Sequence, residues 1–215
     1  MLLVCGLLLR TLEPIAMYGT STVNNRWREV MGAWLLVVSV IVFAPTATAA
    51  GVLPEGFKTI ALVAHDGQRQ TIGTVTFTPD ADGAKIAVVL TAPEFEDQFL
   101  SMRPFRCLPG VKEMWCHLVY PYAIKGRITA DDLADLEYAL LFLFKPPAGY
   151  GINAWNGLYF KLSLADGGKL EGPVHDADFN VLAVPPDAGV MRPIVHGDLS
   201  PVKPDAHRFT RVVIE

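Results

Sequence analysis

The sequence predicts a mainly β chain: an antiparallel meander that closes into a barrel, or packs as a sandwich, with one short helix. Three observations carry this reading. Short runs rich in Val, Ile, Thr and Phe recur along the chain, and turn clusters of Gly, Pro and Asp separate them. The links between runs are too short for crossovers, which makes neighbouring strands antiparallel. Closure would leave no exposed strand edge, and this favours the barrel.

The first fifty residues stand apart from this pattern. Ala33–Phe43, AWLLVVSVIVF, is an apolar run with Arg26 and Arg28 before it and Ala47-Thr48-Ala49 after it. That order of charged, apolar and small residues is the order of a secretory signal peptide. The run is shorter than the roughly 20 residues of a helical membrane span. A start at Met17 gives this signal an ordinary length and leaves Cys5 outside the protein; Met31 is a second alternative start. The expected organisation is residues 1–49 as an N-terminal extension plus signal peptide and 50–215 as a single β-rich domain. The domain is expected to be exported, periplasmic or secreted, and to meet membrane only through the signal segment.

Charge narrows the function. The chain holds 18 Lys and Arg and 22 Asp and Glu. Removing Arg10, Arg26 and Arg28 and Glu13 and Glu29 leaves 15 − 20 = −5 for the domain. An acidic domain without a basic tract is a poor nucleic-acid binder.

Each element follows in order. Phe57–Ala64 and Gln70–Thr78 flank His65-Asp66-Gly67-Gln68 as a hairpin, and Lys85–Thr91 extends the meander after the Pro79–Gly83 turn. Phe95–Arg106 supplies a strand facing Met114–Tyr120 across Pro109-Gly110. Pro fixes φ there and Gly accepts a positive φ, so the dipeptide favours a tight reversal. Cys107 and Cys116 then lie opposite each other and close a disulfide in an oxidising compartment. Thr129 caps a short helix to Leu136, followed by a strand ending at Phe144; Tyr138–Phe144 is apolar on every side, so periodicity does not separate helix from strand. Leu158–Ala165 alternates buried and wetter faces and turns through Asp166-Gly167-Gly168 into Lys169–His175. Phe179–Val184 reads as a short strand. Pro185–Pro204 is a proline-rich excursion or lid, and Phe209–Ile214 is the last strand.

The likeness to lipocalins is one of architecture: about nine strands closing into a lipocalin-like barrel. No lipocalin family motif is present. The chain also lacks a G-x-S-x-G elbow, a P-loop and a dinucleotide-binding glycine pattern, so no cofactor is indicated. Met102, Met114, Cys116 and His117 are soft or nitrogen ligands, but their spacing matches no metal motif. His175, Asp176 and Asp178, with His117 or His196, offer ligands close in sequence; adjacent strand residues point to opposite faces, which separates His175 from Asp176.

Arginine beside aromatics can clamp an anion or stack on a ring, and Arg103 and Arg106 flank Pro104-Phe105. Trp115, Tyr120, Tyr122, Tyr150 and Trp155 can line a cavity or fill a core. The expected ligand site is Arg103, Trp115, His117, Tyr150 and Trp155, holding a small apolar or aromatic ligand or an envelope component. No catalytic residue and no metal site are assigned. Two other readings stand beside this one: an acid–base hydrolase or isomerase using His117 or His175 with a carboxylate, and a structural domain without a pocket.

Overall fold

The computed structural model describes residues 52–100 and 103–215. The signal segment, both alternative starts, Cys5, Ser101 and Met102 lie outside the described residues. Among the described residues no helix is long and apolar enough to cross a membrane. Among the described residues the strands form one antiparallel sheet of 13, accompanied by one short α-helix.

The meander at the start is as the sequence predicts. β1 (Gly56–Ala64) pairs with β2 (Arg69–Asp80), and β2 with β3 (Gly83–Val89). Gly67 turns the first hairpin at φ 81°, and Asp66 accepts the Gln68 N–H at 2.9 Å. Phe95–Arg106 differs from expectation. It divides into β4 (Glu96–Leu100) and β5 (Arg103–Leu108), a hairpin in its own right, because Leu100 and Phe105 both bury against the same face. β5 pairs with β6 (Met114–His117), and Cys107 stands directly opposite Cys116, joined to it by a disulfide.

After the short β7 (Arg127–Ile128), α1 covers Ala134–Tyr138, later than the expected Thr129–Leu136. Thr129 does not cap it; its hydroxyl accepts the Asp132 N–H at 3.1 Å in the turn before. Tyr138 belongs to the helix, and β8 is confined to Phe142–Lys145. The expected strand Leu158–Ala165 is broken into β9 (Gly157–Phe160) and β10 (Ser163–Ala165). At the break the Leu162 N–H donates to the Glu137 carboxylate at 2.8 Å instead of joining a ladder. Gly172 lies beneath it, where a Cβ would sit 2.3 Å from the Lys161 carbonyl oxygen. It belongs to β11 (Lys169–Ala177), which pairs with both β9 and β10. Phe179–Leu182 is a 3₁₀ turn and not the expected strand: Asp178 accepts the Asn180 N–H at 2.8 Å, and Phe179 and Leu182, three apart, bury on one side. The proline-rich excursion ends in β12 (Leu199–Pro201), and β13 (Phe209–Ile214) inserts between β1 and β11.

The sheet separates two cores. Ile60, Ile72, Val75, Trp115, Phe142, Phe160 and Val212 meet on the inner face. On the outer face, Cys107, Cys116, Leu143, Tyr159 and Ala177 pack under Tyr138, Phe179 and Ile194. β6, β8 and β9 are thus buried on both sides, which explains why Phe142–Phe144 shows no alternation. The excursion covers the outer face: the Tyr138 hydroxyl accepts the Ile194 N–H at 2.7 Å, and the Tyr120 hydroxyl donates to the Met191 carbonyl at 2.5 Å.

The barrel closure expected from sequence is not formed. The hydrogen-bonded order is β4-β5-β6-β8-β9-β11-β13-β1-β2-β3-β7, and among the described residues no ladder joins the two ends. Leu90–Phe95 leaves the sheet where closure would fall, and Pro93 has no N–H to offer. The Arg106 guanidinium spans this gap, donating to the Leu90 carbonyl and lying 5.0 Å from the centre of the Phe95 ring.

The disulfide closes a short loop in the two-sided part of the sheet. Replacing both Cys107 and Cys116 by Ala is expected to lower stability by about 2–3 kcal/mol, read as a lower urea midpoint.

Candidate functional site

The site is assembled where three loops and strands converge. Pro109-Gly110 reverses the chain between β5 and β6, and a Cβ on Gly110 would sit 2.4 Å from the Glu113 carbonyl oxygen. This tight turn delivers Glu113 to the inner rim two residues before Trp115. Asp176 is held on β11 between Leu158 of β9 and Ser200 of β12. His207 precedes β13; its carbonyl accepts from His65 Nε2 at 3.2 Å, and its ring lies 4.6 Å from Phe144 and 6.0 Å from Trp115, centre to centre.

These three side chains form a chain of contacts. His207 Nδ1 is 2.9 Å from Glu113 Oε2, and Nε2 is 2.8 Å from Asp176 Oδ1. Each ring nitrogen faces a carboxylate oxygen, so each donates and the ring is an imidazolium. Burial opposes that charge, but the hydrogen bonds to Glu113 and Asp176 outweigh it and raise the His207 pKa above its ordinary value. Burial likewise opposes the Glu113 charge. The His207 contact, the Arg208 N–H (2.7 Å) and the Trp115 indole N–H (2.8 Å) overcome it and lower the Glu113 pKa.

Glu113 and His207 line a cleft of about 950 Å³ together with Val111, Phe144, Lys145 and Arg208. On the other side of His207 a smaller cleft of about 280 Å³ is lined by His65, His175, Val202 and Phe209. His175 Nδ1 is buried there without a hydrogen-bond partner among the described residues. Among the described residues no three His, Cys, Asp or Glu side chains are grouped to hold a metal. Cys116 is committed to the disulfide, so its thiolate cannot serve as a ligand.

The residues expected to form the ligand site are placed apart. Trp115 is 1% exposed in the inner core. His117 lies further along β6 with Nε2 3.1 Å from the Ala139 carbonyl oxygen; burial lowers its pKa. Arg103 is exposed at the start of β5. Tyr150 and Trp155 are exposed in the loop between β8 and β9. None of the five lines either of the clefts around His207. Only Trp115 touches the site, through its indole N–H to Glu113. Glu113, Lys145 and His207 were not singled out by sequence, because they come from three distant segments and each is flanked by ordinary turn residues.

A second buried carboxylate has a different role. Glu137 is 0% exposed on α1, accepts from the Tyr159 hydroxyl and the Leu162 N–H, and lies 3.2 Å from Lys161 Nζ. Burial first, and then the Glu137 charge, push the Tyr159 pKa up. This cluster anchors the helix to the break between β9 and β10. Comparison with family models, curated proteins and solved structures returns no match, so the functional reading rests on the geometry.

Two predictions follow from these charges. Glu137→Ala leaves the Tyr159 hydroxyl and the Leu162 N–H unpaired in the interior and is expected to cost about 2–4 kcal/mol, measured by urea unfolding. The His207 contribution is fully present below the ordinary histidine pKa and is lost as pH rises through its raised value. The Glu113 contribution is present above the ordinary glutamate pKa and is lost as pH falls through its lowered value. The native chain is therefore expected to lose stability as pH rises above the ordinary histidine pKa, and His207→Gln to flatten that limb in urea titrations at each pH.

Proposed function

We propose that the domain is an exported β protein that holds a small, partly apolar ligand in the 950 Å³ cleft beside His207. The cleft is the observation that carries this reading. Its volume lies at the upper end of the range of small-molecule sites, and apolar surface stands beside converging charged groups. Phe144 and Pro146 supply apolar surface, and Val111 is fully exposed at the rim. The ligand site is thus moved from the aromatics expected by sequence to the turn before β6 and the loop before β13. The sheet is read as an open, barrel-like wrap: residues of β1, β2, β6, β8, β9 and β13 share one inner core. Export is supported by the apolar run at Ala33–Phe43 and by the bonded Cys107–Cys116 pair.

A second reading, acid–base catalysis, draws on the Glu113–His207–Asp176 chain, with 42% of the Asp176 side chain exposed. Both imidazole nitrogens are already engaged, so no lone pair is free to take a proton from a substrate. The arrangement holds a proton rather than moving one, and the binding reading stands ahead. Native mass spectrometry of gently purified, export-processed protein tests it: a bound mass that disappears on denaturation, and that is lost when Phe144 is replaced by Ala, is expected. A protein that is ligand-free by this measure, and that takes up no apolar probe, overturns the reading.

A further inference from the structure

The cleft holds more positive charge than its surroundings explain. Lys112, Lys145 and Arg208 line it, and among the described residues none of their side-chain nitrogens has a carboxylate oxygen within 4.0 Å. Of the two carboxylates of the cleft, Glu113 is already engaged by His207, and Asp205 is exposed, 3.6 Å from His65. Counting the His207 imidazolium, four cations face two anions, an excess of 4 − 2 = +2 in a domain whose net charge is −5.

Lys145 makes the excess hard to attribute to solvated surface. It is only 5% exposed, and its ammonium donates to the Pro146 and Pro147 carbonyls at 2.9 and 3.3 Å. Carbonyl oxygens satisfy two of its three donors but do not neutralise its charge. Burying an ammonium without a counter-ion is unfavourable, and an arriving anion relieves that. The Arg208 guanidinium is fixed in place by the Pro109 carbonyl at 2.9 Å and by stacking 4.6 Å from the Phe209 ring centre, so it is oriented before any ligand arrives.

We infer that this cleft recognises the anionic head of an amphiphile, a carboxylate, sulfonate or phosphate attached to an apolar body, with Lys112, Lys145 and Arg208 meeting the head and Phe144 and Val111 meeting the body. The inference rests on the cleft being a ligand site. A matched pair of fluorescent probes separates the two ideas: 8-anilinonaphthalene-1-sulfonate and N-phenyl-1-naphthylamine share their rings and differ by the sulfonate. The sulfonate is expected to bind roughly tenfold more tightly than the neutral probe. Lys145→Met and Lys112→Met are each expected to erase most of that preference while leaving the neutral probe's affinity unchanged. Lys85→Met, on β3 outside the cleft, is expected to leave the preference intact. Lys112 is exposed, so its variant tests the inference even if the Lys145 variant fails to fold. Equal binding of both probes, or equal loss from Lys85→Met, overturns the anionic head and leaves the ligand site standing. Binding of neither probe overturns the site itself.

Discussion

Burial of the central strands on both faces is the constraint that organises this molecule. A half-covered sheet needs one apolar face; β6, β8 and β9 have two, and the adjoining ends of β5 and β11 join both cores. The outer face therefore needs a second layer, and α1, the 3₁₀ turn at Phe179 and the proline-rich excursion supply it. Anchoring that layer brings in the buried polar groups. Glu137 ties the helix to the β9–β10 break, and Tyr138 ties the excursion to the helix. The middle of the excursion lies against the back of the sheet, and its end, Pro201–Pro204, lines the smaller cleft beside His207.

How much of this was legible in the sequence depends on where each signal resides. The β1–β2 hairpin and the Cys107–Cys116 pairing were readable because a turn and its flanking strands sit within a few residues of each other. Leu158–Phe160 is a strand as expected, but its supposedly wetter face is buried, with Tyr159 in the outer core, and its interruption at Leu162 depends on a carboxylate 25 residues away in the chain. The Phe179 segment was misread because its apolar spacing fits either a short strand or one helical turn, and Asp178 decides between them. The sheet stays open between β4 and β7, which depends on how strands distant in sequence pair and which no local pattern states, although Pro93 marks the break between β3 and β4. The site was the least legible part. Glu113, Asp176 and His207 are distant in sequence, and only the pairing of β11 with β9 and β12 and the turn before β6 bring them together.

The same geometry explains why the conspicuous aromatics were poor guides. Trp115 is spent on the inner core, where it meets Phe142, Phe160 and Phe209, and offers the site only its indole N–H. Its value is positional: it holds Glu113 as an acceptor, and Glu113 holds His207. A charged histidine between two carboxylates is a clamp across three chain segments, and it forms the wall on which the two clefts meet.

The place of β13 has a consequence for how the chain reaches this state. It lies between β1 and β11, and Ile60 pairs with Ile214, 214 − 60 = 154 residues further on. During synthesis β1 to β3 must wait, with one edge uncovered, until nearly all of the intervening chain has emerged. Such distant pairing makes for slow acquisition of structure and a long-lived, stickier precursor. A polypeptide of this kind stays threadable for longer and depends on being kept from its neighbours until its last strand arrives.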